Sequence, residues 1–323
     1  MKRFVLGLAA AIFSFAAAAQ DFPTKTVTII VGVAPGGALD ALARLIAQGL
    51  TPILKQSVVV ENTTGAGGLV GFQRLMKAEP DGHTLNFSNM SLLIIPHMQP
   101  RGGFEPLRDL EPVGTVATVP MVLSVSNASG IKDLPELLDR MRRNPGKLNF
   151  GSGGPGTTAH LAEAMFMNMA NVQGQLVQYR GTGPALVDLM SGVIDGVLDQ
   201  TVTMKPLHAD KRVRSIAVST AQRLPQMPDV PTFAEGGLPQ FDLKIWNGLV
   251  APKGTPRPVL DKLSAAISQV IDSPEFKNRV AEQLASEVPP TAERGPVAFR
   301  KLMEKDSARV AEIVKAIGLK PAQ

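Results

Sequence analysis

The sequence predicts an α/β fold of two lobes joined by a hinge. Residues Val27 to Ala34 are nearly all apolar, which is typical of a strand buried on both faces of a sheet. Strand and helix patterns alternate in two separate blocks, and a long extended segment, Val113 to Val125, opens the second block. The length of 323 residues also fits two domains.

The first block has the order β-α-β-α-β. Pro35-Gly36-Gly37 breaks the first strand, and a helix follows with apolar residues at helical spacing at Leu42, Leu45, Ile46 and Leu50. Two more strands are predicted at 58–60 and 85–87, with a glycine loop at 65–68 and a helix over 70–77 between them. This order implies a parallel sheet with right-handed crossovers.

The second block continues the alternation. After the extended segment, we predict helices at 134–141, up to 169 and at 184–190, strands at 148–150, 176–179, 193–198, 216–218 and 245–251, and closing helices at about 257–272, 274–285 and 296–316. Residues 225–239 form a proline-rich connector. We therefore expect lobe 1 to contain residues 20–120 and 226–323, lobe 2 to be inserted at 121–225, and the hinge to lie near Val116 and Pro231.

The first 19 residues have the pattern of a signal peptide. Lys2 and Arg3 precede an apolar stretch from Phe4 to Phe15, and Ala17 to Ala19 provide a small-residue cleavage site. The alternative is a membrane anchor, but about 16 apolar residues are marginal for a span. No later run reaches the ~18 apolar residues of a spanning helix. The sequence thus predicts an exported protein without stable membrane insertion.

Composition excludes several functions. The chain has no cysteine, which excludes disulfides and thiolate metal sites. Without Lys2 and Arg3, 31 basic and 28 acidic residues remain, a net charge of +3, and aromatic residues make up only 5%. Nucleic-acid binding needs a concentrated basic patch with stacking aromatic side chains, so we exclude it.

Three loops share one design, in which a strand ends, glycines follow and a helix begins. Open parallel sheets bind ligands beyond the carboxyl ends of their strands, where helix N-termini offer free N–H groups. Ordinary tight connections have the same appearance, but three such loops on two lobes favour a shared ligand cleft. The predicted ligand-binding residues are Pro35, Gly36, Gly37, Ala38, Asp40, Ser88, Ser91, Gly154, Gly156, Thr157, Thr158, Gly181, Thr182 and Asp199.

Two acidic residues of this set need separate comment. Asp40 lies in the first turn of its helix, where a carboxylate offsets the helix dipole. Capping and orientation of a ligand both stay open as its role. Asp195 and Asp199 end one strand, and Asp199 is the one expected to face the cleft or hinge.

Enzymatic alternatives are poorly supported by the motifs. Gly151, Gly153 and Gly156 match the dinucleotide pattern G-x-G-x-x-G, but the next strand ends at Tyr179-Arg180 and lacks the acidic residue that would hold a ribose. A hydrolase using Ser152, Thr157 or Thr158 would need an ordered base, and Ser152 lacks the G-x-S-x-G elbow. We therefore predict no catalysis, no cofactor and no metal.

Short motifs run in a fixed order through the chain after the signal peptide. They are Phe22-Pro23, Pro35-Gly36-Gly37 with Asp40, Glu61-Asn62 with Gly65-Ala66-Gly67-Gly68, Asp81-Gly82-His83-Thr84-Leu85, Asn144-Pro145-Gly146-Lys147, Gly156-Thr157 with His160-Leu161, Tyr179-Arg180-Gly181-Thr182, Pro228-Asp229-Val230-Pro231-Thr232, and Trp246 with Gly248-Leu249. In their number and order, these motifs resemble the substrate-binding receptors of tripartite tricarboxylate transporters, the Bug-type periplasmic proteins.

The resemblance implies a periplasmic-binding-protein fold of type II, a Venus flytrap with a hinge. It implies a monomer that binds a small organic acid and works with integral-membrane transporter subunits. The family's first and fourth strand-to-helix loops, which bind carboxylates through backbone groups and waters, correspond to Pro35–Asp40 and Gly154–Thr158, with Gly181-Thr182 beside them. Ala38 and Leu39 depart from the family's more polar pattern, which allows a less polar acid. A receptor that presents its ligand to a membrane sensor fits the same features.

Overall fold

The structure is a computed structural model that describes residues 22–321. The predicted signal peptide lies outside the described residues. Among the helices of the described part, none combines the length and apolar character needed to cross a membrane.

Nine strands and eleven helices make up the described chain. The strands are β1 Val27–Val31, β2 Val58–Asn62, β3 Thr84–Asn89, β4 Leu110–Val125, β5 Asn149–Ser152, β6 Gln175–Gln178, β7 Gly196–Gln200, β8 Arg214–Val218 and β9 Lys244–Pro252. The helices are α1 Ala38–Leu54, α2 Leu69–Met76, α3 Ser91–Met98, α4 Pro106–Asp109, α5 Leu134–Arg143, α6 Thr158–Met169, α7 Thr182–Ser191, α8 Thr201–Ala209, α9 Arg257–Asp272, α10 Pro274–Lys277 and α11 Gly295–Ala316.

The strands form two mixed sheets that share β4. In one sheet the order is β2-β1-β3-β9-β4, with β1, β2 and β3 parallel as predicted and β9 antiparallel to its neighbours. In the other, β4 is followed by β7, β5 and β6, and β8 pairs with the opposite edge of β4. The predicted pair of α/β lobes is thus present, each with its own sheet.

Strand β4 connects the lobes without a break. Its residues Leu110 to Pro120 pair with β9, whereas Met121 to Val125 pair with β7 and β8. The partner therefore changes at Pro120, which has no N–H to give to a ladder. The predicted extended segment at 113–125 is confirmed as part of this strand.

The segment before β9 packs on lobe 2. The ring of Phe233 lies 6.1 Å from that of Phe166 on α6, and Val218 of β8 forms a bridge with Thr232. Because these contacts hold residues 232–233 on lobe 2, we propose that the second connection between the lobes lies at the start of β9, near Lys244, rather than near Pro231.

Three helices of the described chain, α3, α4 and α8, were not expected from the sequence. Helix α3 is buried on every side from Leu92 to Ile95, so its sequence has no polar face and no helical period. Helix α8 contains two threonines and Pro206, all poor helix formers. The single helix expected over 274–285 is α10 followed by a π-helical segment at Asn278–Gln283.

Candidate functional site

A small cavity lies between the lobes at the point where the strands of both sheets end. Five helices, α1, α3, α6, α7 and α8, begin at or next to it. Its volume is about 30 Å³, room for little more than one or two water molecules. The lining residues are Val33, Gly37, Ala38, Leu39, Asn89, Ser91, Gly153, Thr157, Thr158, Ala159, Gly181, Thr182, Asp199 and Gln200.

The cavity is small because the lobes are closed on each other. The backbone N–H of Ala34 in lobe 1 donates to the carbonyl of Arg180 in lobe 2, with an N···O distance of 2.7 Å. A Cβ placed on Gly183 would lie 2.2 Å from the carbonyl oxygen of Pro35, and one on Gly67 would lie 1.8 Å from that of Pro155. Glycine at these positions therefore permits backbone of one lobe to rest on backbone of the other.

Helices α1 and α7 present uncapped N-termini at the cavity. Within residues 22–321, no side chain accepts a hydrogen bond from the first turn of α1 at Gly37 or of α7 at Gly181, whereas the N–H of Ser91 at the start of α3 donates to Asn89 Oδ1 at 3.0 Å. The first N–H groups of a helix have no partner inside the helix and carry a partial positive charge. Helices α1 and α7 belong to different lobes and begin at the cavity wall, so their free N–H groups can hold an anion between them.

Helix α6 differs because its own N-cap is satisfied. Thr157 Oγ1 accepts from the N–H of His160 at 3.3 Å and donates to the carbonyl of Gly154 at 2.8 Å. The Nδ1 atom of His160 accepts from the N–H of Gly156, and burial lowers the pKa of His160, which favours the neutral ring. The threonine and the histidine therefore do not form the nucleophile and base of a hydrolase.

Asp40 holds the first loop from behind. Its carboxylate accepts from the N–H of Gly36 at 3.1 Å, from Arg44 Nε at 3.1 Å and from Asn62 Nδ2 at 2.9 Å. Burial alone would raise the pKa of Asp40, but the hydrogen bonds from Arg44, Asn62 and Gly36 outweigh it and keep that pKa below its ordinary value. Because these partners use both oxygens, Asp40 shapes the loop and does not line the cavity.

Two buried carboxyl groups lie on the lobe 2 side. Asp199 lines the cavity, and its Oδ2 accepts from Thr203 Oγ1 at 2.9 Å. Glu163 on α6 is fully buried, and its Oε1 accepts only a 3.5 Å bond from the N–H of Leu198. Burial raises the pKa of Asp199 and raises that of Glu163 well above its ordinary value. Burial therefore favours the neutral form of both carboxyl groups.

The structure brings together eight of the fourteen predicted site residues at the cavity wall. They are Gly37, Ala38, Ser91, Thr157, Thr158, Gly181, Thr182 and Asp199. Of the remaining six, Pro35 and Gly36 contact Gly183 of lobe 2, Gly154 lines a neighbouring cavity of about 220 Å³, Gly156 packs on Ile95, Ser88 is buried inside β3, and Asp40 supports the loop.

Two polar lining residues were missed by the sequence reasoning. Asn89 and Gln200 are the last residues of β3 and β7, and Gln200 directly follows Asp199. A position at the end of a strand was the reason for selecting Asp199, so the same reasoning could have identified both residues. Across residues 22–321, no group of three or more His, Asp or Glu side chains lies close enough together to hold a metal ion.

Two lobes around a shared strand, with helix N-termini meeting at the cleft, define the class of two-lobed solute-binding proteins. Residues 42–319 match the family model described as the tripartite tricarboxylate transporter family receptor, and the chain belongs to this family. The predicted flytrap fold is confirmed by solved structures of such receptors. The family and its structural neighbours are substrate-binding proteins and not enzymes.

Individual relatives match over nearly the whole chain. A UPF0065 protein in the tcbD-tcbE intergenic region of Pseudomonas sp. (strain P51) is 38% identical, over 97% of this chain and 93% of its own. MatC of Rhodopseudomonas palustris, solved with bound malate, is 33% identical with a TM-score of 0.87, over 91% of this chain and 100% of its own. Rpa4515 of R. palustris, solved with adipate, is 30% identical with a TM-score of 0.88, over 94% and 100%.

Proposed function

We propose that this protein captures a small carboxylate-bearing molecule between its lobes and delivers it to a tripartite membrane transporter. The observation that carries the proposal is the convergence of uncapped helix N-termini from both lobes on one interlobe cavity. A carboxylate placed there accepts charge-assisted hydrogen bonds from backbone N–H groups. Since the donors come from both lobes, the bound anion also stabilises the closed form. The cavity of about 30 Å³ takes the carboxylate group, and the neighbouring cavity of about 220 Å³, which shares Val33 and Gly153 with it, has room for the rest of the molecule.

The ligand has an apolar portion beside its carboxylate. Ala38 and Leu39 line the cavity where side-chain hydroxyls would otherwise add donors, and α3, behind it, is apolar from Leu92 to Ile95. MatC with malate and Rpa4515 with adipate are relatives whose ligands carry two carboxylates on chains of different length. We therefore place the ligand of this protein among small organic acids of this kind, on the less polar side.

The site of action is the periplasm, and the partners are integral-membrane transporter subunits. Receptors of this family are periplasmic. Lys2-Arg3, the apolar stretch and Ala17 to Ala19 support export with cleavage after residue 19. N-terminal sequencing of the periplasmic protein should begin at Gln20 or within a residue or two, and a soluble protein that retains Met1 would contradict export. We expect a monomer, which size-exclusion chromatography with light scattering checks.

The experiment that tests binding uses the freshly purified receptor. Native mass spectrometry should find a co-purified organic acid, and calorimetry with malate and adipate should give saturable binding. Recovery of the same acid unchanged after incubation separates a receptor from a hydrolase. Capture of transporter subunits from solubilised membranes, rather than a sensor protein, separates delivery from signalling. Absence of binding to any acid would overturn the proposal.

A further inference from the structure

Two side-chain amides lie at the cavity, one from each lobe. Asn89 ends β3 in lobe 1 and Gln200 ends β7 in lobe 2, and they are 4% and 2% exposed. An amide carries a donor nitrogen and an acceptor oxygen. The end that faces the cavity therefore decides whether the side chain favours an anion or a hydrogen-bond donor.

The orientation of Asn89 follows from its bond to the backbone. The N–H of Ser91 lies 3.0 Å from Asn89 Oδ1, and a backbone N–H can only donate. The atom that receives this bond is therefore the oxygen, and Nδ2 is the free end. Within residues 22–321, this nitrogen has no protein acceptor, and it remains accessible from the cavity.

The orientation of Gln200 is fixed by a third amide. Asn247 Nδ2 donates to the carbonyl of Ile245 at 3.1 Å and to Gln200 Oε1 at 3.0 Å. Because a backbone carbonyl can only accept, the end of Asn247 between these partners must be its nitrogen. The atom of Gln200 that faces this nitrogen must then be its oxygen, so Gln200 Nε2 remains for the cavity.

Asn247 lies at a buried position where an apolar side chain would give a more favourable free energy of folding. It is fully buried in β9, and in the described part of the chain its Oδ1 has no hydrogen-bond partner. A buried amide oxygen without a donor is unfavourable, and such a group calls for an explanation. The orientation that Asn247 imposes on Gln200 supplies one.

We propose that Gln200 and Asn89 donate hydrogen bonds to the ligand carboxylate from opposite lobes, and that Asn247 is a positioning residue that keeps the donor end of Gln200 toward the ligand. The inference rests on the proposed function and names the side chains that distinguish an acid from its amide. A carboxylate only accepts hydrogen bonds, so its two oxygens suit the two NH₂ donors. A ligand amide has an NH₂ group in place of one oxygen, and its hydrogens would face the hydrogens of one of these donors. Asp199 does not compete for these donors, because it accepts from the hydroxyls of Thr203 and Thr182.

The test measures dissociation constants of acetate, malate and adipate, and of adipamide as the neutral counterpart of adipate, by calorimetry. Gln200→Glu replaces the donor end by a negative acceptor and should weaken acid binding by about 100-fold, while Gln200→Met should weaken it by about 10-fold. The preference for adipate over adipamide should fall in both. Gln240→Glu, at an exposed site, adds the same charge away from the cavity and should change nothing.

Asn247→Val separates positioning from structural support. We expect acid binding to weaken by about 3–10-fold because Gln200 can then turn its oxygen to the cavity. The melting temperature should stay equal or rise, since valine suits a buried strand and removes the unpaired oxygen. If Gln200→Glu bound the acids as tightly as Gln240→Glu does, this inference would be overturned while the proposed function would stand. A wild-type protein that binds none of the three acids would overturn the proposed function and this inference with it.

Discussion

The two glycine loops on either side of the cleft follow one sequence plan but use their polar side chains differently. In lobe 1, Asp40 lies inside α1 and holds the loop from behind, so that no side chain caps the helix. In lobe 2, Thr157 lies at the N-cap and takes up an N–H of α6 itself. The position of the polar side chain relative to the helix start, rather than the glycines, decides which loop keeps free backbone donors.

This difference assigns distinct tasks to the lobes. The lobe 1 loop offers N–H groups to a ligand, whereas the lobe 2 loop is stabilised by its own contacts and presents a surface onto which lobe 1 closes. Gly183 and Gly67 allow that closure by leaving room for the carbonyls of Pro35 and Pro155. Substitutions at the contact between lobes, in the first loop and in the second loop should therefore have different effects.

The largest effect should come from Gly183→Ala. The added Cβ would lie 2.2 Å from the carbonyl of Pro35, so the lobes cannot close fully. A ligand that contacts both lobes prefers the closed form, and we expect its affinity to fall by at least about 100-fold. Alanine in α7 should nevertheless stabilise the helix by roughly 0.5–1 kcal/mol. Calorimetry and small-angle X-ray scattering with and without adipate measure both parts.

Gly114→Ala is the matched control for Gly183→Ala. A Cβ on Gly114 has its nearest neighbour at 3.7 Å, an ordinary van der Waals distance. Affinity and ligand-induced compaction should match the wild type. Normal compaction and tight binding by Gly183→Ala would mean that the contact between Pro35 and Gly183 is not required for capture.

Asp40→Asn should have the next largest effect, on affinity and stability together. The substitution removes the charge from the hydrogen bonds to Gly36 and Arg44, at a cost of about 1–2 kcal/mol of stability, and leaves the loop free to move. Because the pKa of Asp40 is lowered by folding, its stabilisation is complete above the ordinary pKa of about 4 and is lost as the pH falls through the lower folded value.

Thermal unfolding as a function of pH checks this sign. The difference in melting temperature between wild type and Asp40→Asn should be largest near pH 7 and should shrink below pH 4. Calorimetry should show about a 10-fold weaker affinity for the ligand acid. This is the effect of losing one charge-assisted hydrogen bond between the ligand carboxylate and a loop that is no longer held in place. A variant that binds normally would show that the free α1 N-terminus does not depend on support from Asp40.

Thr157→Ala should change stability more than affinity. It removes the cap of α6 and should cost about 0.5–2 kcal/mol of unfolding free energy. Thr157→Ser keeps the hydroxyl and should restore most of this loss. If Thr157→Ala weakened adipate binding more than Asp40→Asn did, the lobe 2 loop rather than the lobe 1 loop would supply the backbone donors to the ligand.

The sequence predicted the parts of the site that depend on local order. Gly37, Ala38, Thr158, Gly181 and Thr182 follow directly from the design in which a strand ends, glycines follow and a helix begins. The cavity position of Asp199 also followed from the end of its strand. These features depend on residues close together in the chain, where strand and turn preferences act.

The remaining features depend on contacts distant in sequence. Pro35 and Gly36 lie outside the cavity because Gly183, nearly 150 residues later, covers them. The donor end of Gln200 is set by Asn247, and no local pattern encodes this pairing. Helix α3 was missed because its apolar residues surround it completely and leave no helical period to detect.

The smallest effect on ligand affinity should come from Glu163→Gln, which tests whether the buried acid of lobe 2 belongs to structure alone. Folding raises the pKa of Glu163 well above its ordinary value, so the folded protein holds a proton that the unfolded chain releases as the pH rises. The wild type therefore loses stability as the pH rises from the ordinary glutamate pKa toward the folded one. Glutamine removes this loss and keeps nearly the same size and shape of the side chain. The variant should melt higher than the wild type at pH 7 and equally at pH 4, while the exposed control Glu304→Gln shows no such difference. An altered affinity for adipate in Glu163→Gln would instead connect this carboxyl group, through Asp199, to the ligand.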